Sequence, residues 1–342
     1  MNRKNIIIIS LLTILHFCCD LICGYKVVSC FGNYYFNDIW YTTRIYFIYN
    51  IFAFLLQPII GIILDKINLK NKERIILLIS TVLLILGTFI NVWYISITLL
   101  GIANQIFHVS GGKICTNIST SKSSHLGVFV SFGAIGLSLG VNNIAWCVPI
   151  VVILYILLSI IIIFIKEEKE EEIIQKPKLS RTVLIFSIIF LSIAVFIRSF
   201  LGKIIHYEFI PNLLMILGLG LASTIGKCIG GFIRDKIGSL LTIIISMVSS
   251  VILLLFFQNI YLLIFIGIIM INISMPITLY ELNRINEQNE GFNFGLLAAI
   301  LFIGVTVGSL YQYEIISYIF IIIISCLLTI FSIYYVTRKK VK

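Results

Sequence analysis

Runs of about twenty consecutive apolar residues recur along the whole chain, and each is long enough to cross a bilayer of about 30 Å as a helix. Of the 342 residues, 60% are hydrophobic and only 12% are charged, whereas a soluble domain carries about 25% charged residues. The residues between the runs suffice only for short loops and tails. The sequence therefore predicts an all-α, polytopic membrane protein without a folded domain outside the membrane.

Twelve transmembrane spans are predicted from these runs. They lie near residues 6–31, 43–64, 74–92, 94–112, 125–143, 146–165, 181–200, 212–233, 240–257, 260–280, 293–310 and 313–336. A signal peptide is the alternative for the first run, but the apolar stretch continues past Asp20 and no small-x-small cleavage site follows it. The first run is therefore predicted to be a span whose amino end lies in the cytoplasm.

Basic residues are concentrated in alternate loops. With a cytoplasmic amino end, the cytoplasmic loops and tails hold 20 of the 25 Lys and Arg residues, the asymmetry expected because positive loops resist translocation. The net charge of +10 is thus explained by topology, and no nucleic-acid partner is expected. Both termini are predicted to be cytoplasmic, and the isoleucine-rich composition favours the cell membrane of a bacterium.

A charged segment at 166–180, KEEKEEEIIQKPKLS, lies in the middle of the chain. Its composition is typical of a solvated linker. It divides the sequence into two predicted domains, 1–165 and 181–342, each with six of the predicted spans.

An internal repeat relates these two halves. IIGIILDKI at 59–67 and IGGFIRDKI at 229–237 match at six of nine positions with an offset of 170. Asn104 of span 4 and Asn272 of span 10 match at an offset of 168. Two parallel six-span repeats with a binding site between them are a transporter architecture, so two pseudo-symmetric six-helix bundles are predicted.

Glycines in spans 5 and 11 repeat at the same offset of 168. Gly136 and Gly140 match Gly304 and Gly308, and Gly133 lies one turn before the first pair. Small residues at helical spacing let helix backbones approach closely within a membrane. These five positions are therefore predicted to be sites of close helix packing.

The repeated motif resembles the loop signature of the major facilitator superfamily, in which glycine, aspartate and basic residues follow spans 2 and 8. The motif residues are Gly61, Asp65, Lys66, Gly231, Asp235 and Lys236. The resemblance covers the whole chain and implies a secondary transporter that moves a small solute by alternating access. It also implies that spans 5 and 8 meet across the two halves.

The chemistry of the motif can be stated independently. An aspartate at the cytoplasmic end of a span can accept hydrogen bonds from the N-terminus of a neighbouring helix or pair with a basic residue. A glycine four residues earlier lies on the same face and allows that neighbour to approach. We expect a gating contact that holds one conformation; the alternative is a charge that only sets topology.

Ionisable residues inside the spans are candidates for substrate or ion coupling, because they are costly in hydrocarbon. Lys227 of span 8 is expected about 12 Å from its cytoplasmic end, at 1.5 Å per residue. His16 and Asp20 share one face of span 1, and His108 lies one turn after Asn104 in span 4. The alternative for each is a satisfied polar residue between helices.

Other charges are expected nearer to water. Arg198 and Lys203 lie near the outer end of span 7 and are expected to extend toward the aqueous phase. Glu281 and Arg284 are assigned to a cytoplasmic loop. The segment GLASTIGKC at 220–228 lacks the spacing and the hydroxyl residue of a phosphate-binding loop, so transport is expected to be driven by a gradient.

The function predicted from the sequence is secondary transport of a small solute by a monomer in the lipid bilayer, with protons as the candidate coupling ion. No enzymatic activity, cofactor or metal site is expected. A membrane-embedded lipid-modifying enzyme and a non-transporting receptor with a transporter fold remain alternatives.

Overall fold

The computed structural model describes residues 3–32, 39–67, 71–118, 121–142, 145–165, 179–205, 213–257, 260–311 and 315–338. The α-helices are α1 (Arg3–Phe31), α2 (Ile39–Asn50), α3 (Gln57–Lys66), α4 (Lys72–Phe89), α5 (Trp93–Ile118), α6 (Ser124–Val141), α7 (Val148–Phe164), α8 (Arg181–Ile204), α9 (Leu213–Ile237), α10 (Ser239–Phe256), α11 (Tyr261–Asn272), α12 (Ser274–Ile285), α13 (Glu290–Leu310) and α14 (Ile315–Thr337). Each predicted span overlaps one of these helices or a consecutive group. The predicted linker lies outside the described residues except at 179–180.

The prediction of an all-helical, multi-pass membrane protein is confirmed. Among the described residues, nine helical segments are long and apolar enough to cross a membrane, and α7 is a shorter apolar helix. On α7, Ile150 and Leu157 are more than half exposed, as expected for side chains that face hydrocarbon. The count of twelve crossings stays a prediction.

Two predicted spans are interrupted next to a proline. A π-helical segment, Ile51–Leu55, separates α2 from α3, and α11 gives way to α12 at Ile273. Pro58 and Pro276 follow these breaks. Because proline lacks an amide hydrogen and its ring crowds the carbonyl four residues earlier, it disrupts the regular ladder of a helix. The second break follows directly after Asn272.

The described chain forms two compact units. Unit 1 comprises residues 1–119, 132–170 and 289–299. Within it α4 packs along α5, and α1 packs against α5 and α7. Its interior contains the fully buried side chains of Leu12, Phe107 and Tyr155.

Unit 2 comprises residues 120–131, 171–288 and 300–342. Here α8 packs against α14, α9 against α11, and α10 against both α11 and α14. Ile197, Leu201, Ile268 and Ile322 belong to its buried apolar cluster. The predicted boundary at 166–180 stays a prediction.

Candidate functional site

The first copy of the motif lies at the end of α3, in unit 1. The Asp65 carboxylate accepts hydrogen bonds from the backbone N–H groups of Gly291, at 3.0 Å, and Phe292, at 2.8 Å. These amides belong to the first turn of α13, where N–H groups lack intrahelical partners and the helix dipole favours an anion. Lys113 of α5 forms an ion pair with the same carboxylate. A Cβ added at Gly61 would lie 2.3 Å from the Gly291 carbonyl oxygen.

The second copy, at the end of α9 in unit 2, makes the same contacts. The Asp235 carboxylate accepts from the backbone N–H groups of Ser123, at 2.8 Å, and Ser124, at 3.0 Å, where α6 begins. Arg234 lies 3.3 Å from Asp235, and a Cβ at Gly231 would lie 2.6 Å from the Ser123 carbonyl oxygen. In both copies a carboxylate caps a helix start and a glycine lets the two backbones meet.

The basic residues that follow the two aspartates do not share these buried contacts, since Lys66 and Lys236 are exposed. The gating role assigned to the motif from the sequence stays a prediction.

A cluster of ionisable side chains lies inside unit 1, where α1 meets α5. His16 Nε2 is 3.3 Å from Asp20 Oδ2, and His108 Nε2 is 3.8 Å from Asp20 Oδ1. The side-chain amide of Asn104 donates to Asp20 Oδ1 at 3.0 Å. All four side chains are buried or nearly so. Four of the residues predicted for substrate or ion coupling are therefore in mutual contact.

The two imidazoles of this cluster are hydrogen-bonded to each other. His108 Nδ1 lies 2.9 Å from the Asn104 carbonyl oxygen, which can only accept, so His108 Nδ1 carries a proton. His108 Nε2 and His16 Nε2 are 2.8 Å apart, so one of these nitrogens donates and the other accepts. The cluster has one negative charge when both rings are neutral, and one added proton makes it neutral.

The same side chains offer ligand atoms that could hold a metal ion. One atom each from His16, Asp20 and His108 lies within 4.8 Å of the others. A tetrahedral zinc ion with bonds to nitrogen of about 2.0–2.1 Å would hold its ligand atoms about 3.3 Å apart. Because the imidazole nitrogens are 2.8 Å apart, the geometry fits a shared proton better than a shared metal ion.

Glycines of α6 bring that helix against α1 within unit 1. A Cβ at Gly133 would lie 2.3 Å from His16 Nε2, so this glycine leaves room for the ionisable cluster. Cβ atoms at Gly136 and Gly140 would lie 2.3 Å from the carbonyl oxygens of Phe17 and Leu21. The resemblance implies that spans 5 and 8 meet, but the nearest neighbours of Gly136 belong to α1.

The equivalent glycines of α13 pack against α8 in unit 2. A Cβ at Gly304 would lie 2.1 Å from Ser199 Oγ and 2.6 Å from the Phe196 carbonyl oxygen. At Gly308 it would lie 3.0 Å from the Phe200 carbonyl oxygen. The repeated glycines thus make the same kind of backbone contact in each unit.

Lys227 lines a cavity of about 270 Å³ within unit 2. Arg198 and Lys203 of α8 line the same cavity, together with Ser223 of α9 and Asn272 of α11. The expectation that Arg198 extends toward water is wrong, since it is only 6% exposed. The physical reason is that α8 continues to Ile204, so that Arg198 lies within the packed part of the helix.

Glu281 is also more deeply placed than predicted. It lies on α12 and is 2% exposed, and its carboxylate is 2.7 Å from Arg284 and 3.8 Å from Arg234. Predicted span 10 was ended at residue 280, whereas α12 continues to Ile285. Glu281 is therefore a buried member of an ion-pair network and not a loop residue.

Comparison with known proteins assigns the family. The sequence pattern of the Major Facilitator Superfamily matches residues 39–309, most of the chain. The chain belongs to the major facilitator superfamily. As a member of this superfamily it is a secondary transporter.

Solved structures of superfamily members share the fold. A crystal structure of the E. coli fucose:proton symporter, FucP, has a TM-score of 0.69 and 12% identity, over 99% of this chain and 100% of that chain. A structure of FucP in the outward conformation has a TM-score of 0.74 and 12% identity, over 98% and 99% of the two chains. At this identity the likeness shows the fold alone. A search of curated proteins found no match.

Sequence reasoning missed two functional candidates in this superfamily member. Lys113, one of the 20 basic residues ascribed to the cytoplasmic side from the sequence, pairs with Asp65. Arg198 was assigned to the membrane edge. The repeat could have identified Lys113. At the offset of 168 the equivalent residue is Glu281, and opposite charges at equivalent positions of the two halves indicate a buried ion pair in each half.

Proposed function

We propose that the chain is a proton-coupled transporter of a small solute, with twelve spans, cytoplasmic termini and alternating access. The ionisable cluster of His16, Asp20, His108 and Asn104 is the proposed proton site. Its single supporting observation is the hydrogen bond between two buried imidazoles next to a buried carboxylate. Labelling of a single cysteine introduced at Lys4 would test the orientation, since it should react only from the cytoplasmic side.

The charge of the cluster explains why it would bind one proton. The carboxylate and two neutral rings carry a net charge of −1, which is costly inside a membrane protein. One proton on an imidazole produces a neutral, hydrogen-bonded set, and histidine exchanges protons near neutral pH. A second proton would force two N–H groups toward each other across 2.8 Å.

The surroundings of the cluster support a site that can respond to ligand. Cys19 and Tyr49 are further titratable groups that interact electrostatically with Asp20. The side-chain oxygen of Asn104 is buried and has no hydrogen-bond partner among the described residues. An unsatisfied buried acceptor is unfavourable, so a donor from a solute or water would be bound there.

The motif contacts supply a candidate for gating. Asp65 and Asp235 each cap the first turn of another helix. We infer that these caps form in one state of the transport cycle and separate in the other. Because a carboxylate at a helix N-terminus is stabilised by the helix dipole only within the first turn, small displacements would release it.

Reconstituted vesicles containing a trapped pH indicator test the proton site. A panel of small solutes is screened for movement that is accompanied by proton flux and accelerated by a pH gradient. We expect Asp20→Asn to abolish solute-dependent proton flux, since the amide does not ionise. His108→Gln should reduce the flux and flatten its dependence on pH.

Glu73→Gln provides the matched control, because Glu73 lies in the first turn of α4 and outside the cluster. It removes one carboxylate charge from unit 1 and should retain proton flux. Wild-type proton flux and pH dependence in Asp20→Asn would contradict the proposal. Loss of flux only after treatment with a metal chelator would instead identify the cluster as a metal site.

A further inference from the structure

The cavity of unit 2 is lined by basic side chains on two helices. Arg198 and Lys203 come from α8 and Lys227 comes from α9. None of the described residues that line the cavity is acidic. Three formal positive charges are thus gathered around one small volume within the described part of unit 2.

The geometry points to a binding site for a small oxyanion, a carboxylate or a phosphate ester, in this cavity. The inference rests on the proposed transport function and deepens it by naming the charge class of the solute.

Arg198 provides the strongest observation. Arg198 is 6% exposed, and its Nη1 nitrogen is buried without a hydrogen-bond partner among the described residues. An unpaired guanidinium donor in a protein interior is strongly unfavourable. Its planar donors match the oxygens of carboxylate and phosphate groups, so an oxyanion is the ligand that would satisfy both the charge and the geometry.

The carboxylates in the described part of unit 2 do not line this cavity. Asp235 is engaged by Arg234 and by the backbone amides at the start of α6. Glu281 is engaged by Arg284, Arg234 and the Ser239 hydroxyl. Neither residue lines the cavity, nor does Glu287, the remaining acidic residue in the described part of the unit. Within the described part of unit 2, no carboxylate therefore lines this cavity, and an anionic ligand would supply the compensating charge.

The size and the neutral lining restrict the ligand further. A cavity of about 270 Å³ is slightly smaller than the usual ligand sites, which span about 300–1,000 Å³. The Asn272 amide and the Ser223 hydroxyl, 3.5 Å apart, offer polar groups beside the cations. Leu219, Ile268 and Leu301 supply an apolar wall. A short organic anion with hydroxyl groups fits this lining.

Thermal unfolding of the purified full-length protein measures the binding directly, without a transport assay. Four three-carbon probes are compared at equal concentration and ionic strength: glycerate, glycerol 3-phosphate, glycerol and the cationic 2-amino-1,3-propanediol. We expect the anions to raise the Tm and the neutral and cationic probes to leave it unchanged. A response to glycerate alone would assign a carboxylate site, and a response to glycerol 3-phosphate alone a phosphate site.

Variants of Arg198 connect the response to the cavity. Arg198→Gln should weaken anion affinity about ten- to hundredfold, since hydrogen bonds to charged groups contribute about one to two factors of ten. Arg198→Lys should retain part of the affinity. Arg181→Gln is the matched control, because Arg181 lies on the same helix and is exposed; it should respond like the wild type.

A second variant keeps the test decisive if Arg198→Gln does not fold. Asn272→Asp places a carboxylate in the cavity at nearly constant volume, so it should raise the Tm without ligand and abolish the response to anions. Asp20→Asn should keep the anion response, which separates this inference from the proton site. Equal responses to glycerol and the anions, or an unchanged anion response in Arg198→Gln, would overturn the assignment.

Discussion

In unit 1 the motif aspartate, Asp65, is paired with Lys113 of α5, whereas in unit 2 the position equivalent to Lys113 is Glu281 and Asp235 is paired with Arg234. The equivalent position thus has a positive charge in one copy and a negative charge in the other. Both aspartates nevertheless accept hydrogen bonds from the first backbone amides of another helix. The element common to the two copies is therefore the contact between a carboxylate and a helix N-terminus. The basic partners differ from copy to copy.

The interiors of the two units differ more than their motifs. At the repeat offset of 168, Gly133 beside the ionisable cluster corresponds to Leu301, which lines the cavity of unit 2. Equivalent places in the repeat thus border an acidic and imidazole-containing site in one unit and a basic cavity in the other. A duplicated backbone framework can therefore carry two chemically distinct sites, one suited to a proton and one to an anion.

The largest difference between the copies should be the loss of stability when the charge of each motif aspartate is removed. The Asp65 and Lys113 side chains are 5% and 7% exposed. Among the described residues, Asp65→Asn leaves Lys113 with Glu290 as its ion-pair partner, at 3.6 Å. The substitution should lower the free energy of unfolding by about 3 kcal/mol, since breaking a buried pair costs about 3–5 kcal/mol. Asp235 is 17% exposed and Arg234 keeps Glu281, so Asp235→Asn should cost about 1.5 kcal/mol.

Thermal unfolding and vesicle transport measure both effects. We expect both variants to insert into the membrane and both to impair transport, with the larger loss in Asp65→Asn. Wild-type transport in the variant that combines the two substitutions would reduce the motif to a determinant of topology.

Substitution of the repeated glycines should show a smaller difference in the free energy of unfolding between the units, again with the greater destabilisation in unit 1. At Gly136 the three nearest atoms all belong to the Phe17 backbone, the closest at 2.3 Å, whereas at Gly304 the Ser199 hydroxyl can rotate away and the nearest backbone atom, the Phe196 oxygen, is at 2.6 Å. Overpacking costs about 1–3 kcal/mol, and we expect Gly136→Ala at the upper end of this range and Gly304→Ala at the lower end. Thermal unfolding of the two variants measures the order, and Gly136→Leu should block transport entirely. A fully active Gly136→Leu would contradict close packing on α1.

Much of this framework was predictable because apolar length and the repeat are recorded directly in the sequence. The predicted intervals each overlap a helix, and the four-residue spacing of His16 and Asp20 alone predicts that they share one helical face. Their contact with His108 was not predictable, because it depends on how α1 and α5 pack. Sequence gives the depth of a residue in a helix but not the neighbour that it faces.

The errors have the same origin. Arg198 was judged from its distance to a predicted helix end, but α8 continues to Ile204 and the side chain lies against a cavity. The resemblance implies a contact between spans 5 and 8, and in α6 it is Gly127, not Gly136, that meets α9: a Cβ there would lie 2.7 Å from the Lys227 carbonyl oxygen. Residues four apart lie on one face of a helix. Gly127 and Gly136 are nine residues apart, and they contact different helices, α9 and α1.

The smallest expected effect concerns the two lysines of the unit 2 cavity and sharpens the contrast with unit 1. From the sequence, Lys227→Met is predicted to abolish or uncouple transport and Lys203→Met to have little effect. Because both lysines line the cavity with Arg198, we now expect both variants to weaken the anion response, with the greater loss in Lys227→Met. A lysine is a point charge without the fork of an arginine, so each loss should be smaller than that of Arg198→Gln, about three- to tenfold in affinity, corresponding to about 0.7–1.4 kcal/mol.

Titration of glycerate or glycerol 3-phosphate against thermal unfolding measures these affinities. Lys236→Met is the matched lysine control for anion binding, because Lys236 is exposed at the end of α9. If Lys203→Met and Lys236→Met behave alike, then Lys203 contributes only to the wall of the cavity, and the basic character of unit 2 reduces to the pair Arg198 and Lys227.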